Sequence, residues 1–407
     1  MSKKSLQYPD FAERASALNA RRNLKMARSA QAYLRGNTLK FYEWIEAAAP
    51  DRLPQGPALW ICGDCHVGNM GPVANAESKV KIQIRDFDQT VIGNPAHDLI
   101  RLGLSLASAA RGFDLPGVTT ARILEQMIDG YAEAVDGCSR NKGKSKQPEC
   151  VRYVMGRALG RSWSHLASEC IGRKKPTFPL GKHFWPLSQH EAVEITQLFQ
   201  QREVQQLATL LRSRNAGYHV EVLDAAYWVK GCSSLGRLRI AVLLSVSDKH
   251  TGHGELCFMD IKEAVKAAAP RYTNVGMPRD NAQRIVMGAQ HLAPNLGERI
   301  VASRFEDRAV FIRELLPQDL KLELDDLTGD EAIKTARFLA SVVAKAHADQ
   351  LDDDARRAWR KELDRNRLKT LDAPSWLWTS VIELLVSHES SYLEHCRRYA
   401  LEHATAA

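Results

Sequence analysis

Apolar and polar residues follow two different periods along this chain, and the switches between them divide it. Residues 12–48 carry apolar positions at helical intervals among Arg and Lys, which predicts helix. The run ALWICGD (58–64) is short and apolar and ends in Gly-Asp, which predicts a buried strand. In VKIQIRD (80–86), Val80, Ile82 and Ile84 face one way and Lys81, Gln83 and Arg85 the other. This alternation predicts a half-buried strand, hairpinned to 58–64 through the Gly-Pro-Asn-rich segment 68–78. Pro95 opens a helix with Leu99, Leu102 and Leu106 on one face.

Further on, GCSRNKGKSKQPEC (137–150) is polar and rich in breakers, as an exposed loop would be, and 188–215 reads as helix. Between 219 and 262 the texture becomes β. HVEVLDAAYWVK, RLRIAVLLSV and ELCFMDIK predict a three-stranded antiparallel meander. The remainder reads as helical except for a strand at 309–315. The fold class expected is therefore α+β, with sheet signals in two distant regions.

Composition narrows the choice. With 44% hydrophobic and 26% charged residues, the 407-residue chain has the balance of a globular protein with a real core. No apolar stretch is long enough to span a bilayer, and MSKKSLQYPDF lacks the apolar segment of a secretory signal, so a cytoplasmic protein is expected. The eight cysteines are scattered and read as reduced thiols. Cys62 and Cys65 form one CxxC, but no second pair completes a zinc site and the motif follows a strand instead of opening a helix. The net charge of +8 suits a phosphate-rich ligand without identifying one. The basic runs 140–146 and 172–176 lack interleaved aromatics and read as solvated loops, not as a nucleic-acid surface.

The chemistry-bearing stretch is Gly63-Asp64-Cys65-His66-Val67-Gly68-Asn69, followed by Arg85-Asp86-Phe87-Asp88. Either motif alone could be a polar turn between strands. In this order, each after a strand, they have the layout of a phosphoryl-transfer site. A catalytic Asp precedes a metal-binding Asn by five residues, and a second metal-binding Asp ends a later strand. Asp64 would accept the acceptor's proton, and Asn69 and Asp86 would hold magnesium against the nucleotide phosphates.

GDCHVGN…RDFD…GNPAHDL resembles the corresponding motif of aminoglycoside and choline phosphotransferases, which have the protein-kinase-like two-lobe fold. The resemblance implies Asp64 as catalytic base, Asn69 and Asp86 as magnesium ligands, Asp88 as support for a second metal and Asp98 as a buried anchor for the loop. Those families carry His where this chain has Cys62, which implies a different tether. AYLRG (32–36), CGDCHVGNMG, RDFDQT, DLIRL, VKGCSSLG, IKEA and AKAHA also resemble the uncharacterised bacterial domain-of-unknown-function family twenty-two fifty-two, discontinuously over residues 20–350. That similarity implies family and fold but no substrate. It makes Arg35 a candidate for contacting phosphate or the acidic loop.

A kinase-like ATP site also needs a glycine-rich hairpin and a strand lysine. Neither precedes residue 63. Gly231-Cys232-Ser233-Ser234-Leu235-Gly236 offers the hairpin, with Gly231, Ser233 and Gly236 at the phosphate-facing positions, although an unliganded tight hairpin would use the same residues. A P-loop is excluded, because Arg237 and Leu238 replace its Lys and Ser/Thr and the next segment is β. Met259-Asp260-Ile261-Lys262 offers the lysine. The motif order is then inverted. The expected fold is a circularly permuted kinase-like one: residues 1–217 and 317–407 form the helical large lobe, 218–316 form the β-rich small lobe, and 311–317 form the hinge. This requires Lys262 to lie beside Asp86.

The helical run 282–292 has no acid to hold that lysine, Glu263 should point to the opposite strand face, and Glu298 lies later. His66 is expected to brace its own loop by hydrogen bonds, while His347, Trp376 and Trp378 read as packing residues. The expected function is magnesium- and ATP-dependent phosphoryl transfer to an unidentified hydroxyl or amine, on a small molecule or a protein. A nucleotide-holding pseudokinase and a nucleotidyl transferase on the same scaffold stay open.

Overall fold

The computed structural model describes residues 8–48, 52–137, 147–172, 175–248, 254–323, 328–365, 367 and 373–399. The predicted loop 137–150 and the basic runs 140–146 and 172–176 lie wholly or partly outside these residues.

The chain opens with helices α1 (Arg14–Met26), α2 (Ala30–Gly36) and α3 (Thr38–Ala47). Short strands β1 (Leu59–Ile61), β2 (Met70–Ala74), β3 (Val80–Ile84) and β4 (Val91–Gly93) lead into α4 (Ala96–Gly112), α5 (Gly117–Val135), α6 (Glu149–Leu159) and α7 (Trp163–Cys170). Strand β5 (Phe184–Trp185) and helices α8 (Gln189–Leu198) and α9 (Arg202–Ala208) precede β6 (His219–Trp228), β7 (Arg239–Ser247) and β8 (Gly254–Glu263). Helices α10 (Asn281–Leu292) and α11 (Pro294–Gly297), strands β9 (Ile300–Phe305) and β10 (Arg308–Glu314), and helices α12 (Gly329–Ala348), α13 (Asp353–Leu363) and α14 (Ser375–Tyr399) complete it. The chain is α+β, as its periodicities require.

The principal sheet is antiparallel, in the order β5-β6-β7-β8-β10-β9. The predicted meander is its centre. β7 reads as a continuous apolar run because both of its faces are covered. Ile240, Val242 and Leu244 pack with residues of α8 and α9, while Ala241 and Leu243 pack with Phe178, Phe184, Trp228 and Phe258. A separate core joins α4, α5, α12 and α14 to the small strands, through Leu99, Leu102, Leu124, Met127, Leu339, Val343, Leu377 and Val381.

One expected pairing is corrected. The strand at 80–84 hairpins with β2, whose Met70 faces Ile84, and β1 pairs with β4 instead. Part of the Gly-Pro-rich segment is itself a fully buried strand. Pro72 is tolerated there because each strand of a two-stranded ribbon has a free edge that needs no N–H.

Candidate active site

The β2–β3 ribbon builds the first half of the site. Asn69 precedes β2 and Asp86 follows β3, so antiparallel pairing sets the two side by side, with Arg85 N donating to Asn69 O at 3.0 Å. The Asn69 amide donates to Asp86 O at 2.9 Å and Asp64 O at 3.2 Å. With its NH2 committed to backbone, the side-chain oxygen is the atom left to meet a ligand.

The 61–64 turn is held from below. Asp98, fully buried near the start of α4, accepts from Cys62 N at 2.7 Å and Gly63 N at 2.9 Å. His347 Nε2 lies 3.3 Å from the same carboxylate, Tyr131 OH lies 2.8 Å from His347 Nδ1, and Trp359 donates to Tyr131 at 3.1 Å. This buried relay from α12, α5 and α13 tethers the loop, beside the contacts of Cys62 Sγ with Asp86 O and the Asn69 amide. His347 packs, as expected, but inside a polar network. Cys62 and Cys65 are buried, and burial pushes both thiols up, away from the thiolate that metal or redox chemistry needs.

Asp64 Oδ1 accepts from Arg101 Nε at 2.9 Å, and Arg101 also donates to Leu34 O at 2.6 Å. Asp64 Oδ2 lies 3.8 Å from His66 Nε2, beyond hydrogen-bond range. His66 does not brace the loop through its ring. Its Nδ1 is buried without a partner, and burial draws the imidazole down to about 4 against the pull of Asp64.

Lys262 closes the site from the sheet. Residues 258, 260 and 262 share one face of β8, which runs from apolar at Phe258 to charged at Lys262. Lys262 Nζ lies 3.0 Å from Asp86 Oδ1 and 2.6 Å from Asp88 Oδ2. The strand lysine therefore stands against both acids of the 85–88 loop, from 176 residues away. Burial raises the Asp86 carboxyl, but Lys262 and then Arg313 outweigh it and hold Asp86 well below the usual range. Burial and the Asp86 charge push Asp88 up, against Lys262. Asp88 Oδ2 is met by Lys262, while Oδ1 is buried without a hydrogen-bond donor, which leaves one costly unsatisfied acceptor.

No acid of α10 holds the lysine. That helix instead contributes Arg284, which donates to Thr90 O, to Asp88 O at 3.2 Å and to Val265 O at 2.9 Å, and so pins the acidic loop's backbone. Glu263 accepts from Leu238 N and Glu298 from Ala76 N, both away from Lys262.

The glycine segment is a broader connection than the tight hairpin its residues allow, spanning 229–238 between β6 and β7. Gly231 and Gly236 take φ of 92° and 90°, which a side chain would resist. Gly231 O accepts from Lys25 at 2.7 Å, and Gly236 packs on Asn19. Ser233 faces a large cleft, and Arg237 reaches 3.9 Å from Asp88 Oδ2. Arg35 lies with His66 and Gly68 in a small pocket of about 200 Å³.

Several residues of this site were missed by motif reading. Arg101 had a signal, as an arginine inside the apolar run Leu99–Leu106, where a buried charge must find a partner. Lys230 and Lys321 had none. Both side chains are exposed, yet each stands close to other cations. Burial draws Lys321 down to about 7, with Arg85, Arg35 and Lys230 pushing the same way; burial and Arg239 draw Lys230 down to about 8.

Among the described residues no group of three or more His, Cys, Asp or Glu side chains is arranged to hold a metal ion. No described helix is long and apolar enough to cross a membrane.

A model of the bacterial family described as an uncharacterized protein conserved in bacteria, DUF2252, matches residues 14–398. The chain belongs to the DUF2252 family. That match takes in every element of the site, from Arg35 to His347, so the arrangement lies wholly within the family's domain. No curated protein and no solved structure matches the chain.

Proposed function

We propose that this DUF2252 protein is a magnesium- and ATP-dependent phosphotransferase with a circularly permuted kinase-like fold. The observation that carries the reading is Lys262 on Asp86 and Asp88, beside Asn69. A strand lysine, two acids and an amide that are far apart in sequence meet at one point. The strand order gives further support. A hairpin with a glycine-bearing connection, a lysine strand, a helix and two more strands follow one another in β6, β7, β8, α10, β9 and β10, a small lobe entered after the catalytic loop.

The donor set fits magnesium, which takes one or two carboxylates and fills its octahedron with phosphate oxygens and water. Asp86, Asp88 and the Asn69 side-chain oxygen would hold it, and the unpartnered Asp88 Oδ1 is an acceptor such an ion satisfies. Bound there, magnesium would neutralise charge on the transferring phosphoryl group. Arg35, Arg85, Lys230 and Lys321 form the ground for the phosphates, because desolvation and then the neighbouring cations depress the two lysines, and a bound anion offsets both. Asp64, oriented by Arg101, would take the acceptor's proton on Oδ2.

Thermal unfolding with and without MgATP tests this. At a hundred times its dissociation constant the nucleotide adds about 2.7 kcal/mol to wild-type stability, and the shift disappears in Asp86→Ala. A wild-type midpoint indifferent to millimolar MgATP, or an equal shift in the variant, removes the reading.

A further inference from the structure

A cleft of about 1320 Å³ opens beside the site. Asp88 faces Lys262, whereas the next residue, Gln89, lines the cleft. Gln89 also packs directly against Gly63, the neighbour of Asp64, and Thr38 of the cleft wall sits one helical turn from Tyr42, whose hydroxyl donates to Gly63 O at 2.6 Å. Gln89 thus joins the cleft lining to the turn that carries Asp64.

Its lining is strongly cationic. Arg22, Arg237, Lys266, Arg271, Arg279 and Arg284 face it, with Glu46 as the acid. Among the described residues, Arg22, Lys266, Arg271 and Arg279 have no carboxylate partner. Arg284 is 3% exposed, and its Nε and that of Arg22 are buried without an acceptor. A protein surface normally intersperses charges of both signs, and a concave one-sign wall focuses field on anions. Arg237 and Arg284 also reach Asp88, at its carboxylate and its carbonyl, whereas Arg22, Lys266, Arg271 and Arg279 pair with neither acid of the site. These four are separate from the cations assigned to the nucleotide phosphates.

Resting on the phosphotransferase reading, we propose that the acceptor is a phosphorylated small molecule, its phosphates seated on Arg271, Arg279 and Lys266 and its free hydroxyl directed to Asp64. The hydroxyl oxygen forms the new P–O bond as the β–γ bridging P–O bond of ATP breaks. ADP leaves with that electron pair, and the hydroxyl proton passes to Asp64 and then to solvent.

Calorimetric titration with fructose 1,6-bisphosphate as probe, and uncharged fructose as control, tests the cleft. The bisphosphate should bind wild type and Asp86→Ala alike and weaken at least tenfold in Arg271→Ala/Arg279→Ala. Arg271→Lys/Arg279→Lys should recover much of the loss, which misfolding would not allow, and added salt should weaken binding. Absence of binding to wild type at millimolar probe, or equal binding by the alanine variant, overturns the proposal. MgATP binding lost in the alanine variant also overturns it, by making the cleft the nucleotide's own site. If the probe binds and MgATP does not bind wild type, the phosphotransferase reading falls, and the acceptor role with it.

Discussion

Replacing Asp64 by Asn lowers MgATP turnover by about two to four orders of magnitude, the range supplied by a positioned general base. Asparagine is nearly isosteric and keeps an oxygen for Arg101, so the loop geometry set by Asp98 and the Asn69 amide should persist. It cannot accept the acceptor's proton. Nucleotide affinity should hold, because the groups assigned to the phosphates and magnesium lie on other residues. The measurement is ADP release over a panel of hydroxyl and amine acceptors, beside the MgATP-induced thermal shift of the same variant. Turnover undiminished by Asp64→Asn would remove this residue as base. A shift lost together with turnover would make Asp64 part of the nucleotide site.

The second large effect is on stability. Asp260 is fully buried on β8 and takes a bidentate bond from Arg239, at 2.8 and 2.7 Å, and further bonds from Arg313, at 3.2 and 3.0 Å. Burial raises its carboxyl, but Arg239 and Arg313 overcome this and hold it well below the usual carboxylate range. Asp260→Ala leaves two guanidinium groups facing each other without a counter-charge, and costs about 3–5 kcal/mol. Replacing both arginines by Met in the same chain should recover most of that loss, since an apolar cluster has no charge to strand. The contribution has a pH signature. Because the folded-state pKa is depressed, the stabilisation is complete above the unfolded carboxylate value, about 4, and is lost as pH falls below it. Denaturation at pH 7 and at pH 3 checks both statements. A cost under about 1 kcal/mol at pH 7 would mean that solvent reaches the cluster.

Asp260 also marks the limit of motif reading. In Met259-Asp260-Ile261-Lys262 only the lysine drew a role from the motif. Its role depends on Arg239, diagonal to it on β7, and on Arg313, directly opposite on β10, and no local pattern announces such partners. Lys230 and Lys321 were invisible for the same reason. A lysine in a loop is ordinarily solvated, and only the folded chain brings other cations close to these two. The pairing error in the small strands has a similar origin. Periodicity places a residue on a face but does not choose a partner strand, and β1 is buried enough to suit several.

What the sequence determined by itself is local and chemical. Five-residue spacing between Asp64 and Asn69, alternation ending at Asp86, a long apolar β run and paired glycines each follow from contacts within a few residues of chain. They sufficed to name the acidic loop, the meander and Lys262 before any coordinates. The tertiary structure decided which of these meet, because burial in a low-dielectric interior, not sequence distance, determines the partners of a charge. It set Lys262 on Asp86 and Asp88 in place of a helix acid, gave Asp64 the arginine of α4, and hung the 61–64 turn on a relay from three helices. It also gathered unpaired arginines from scattered segments into one cleft, a feature that exists only once the chain has folded.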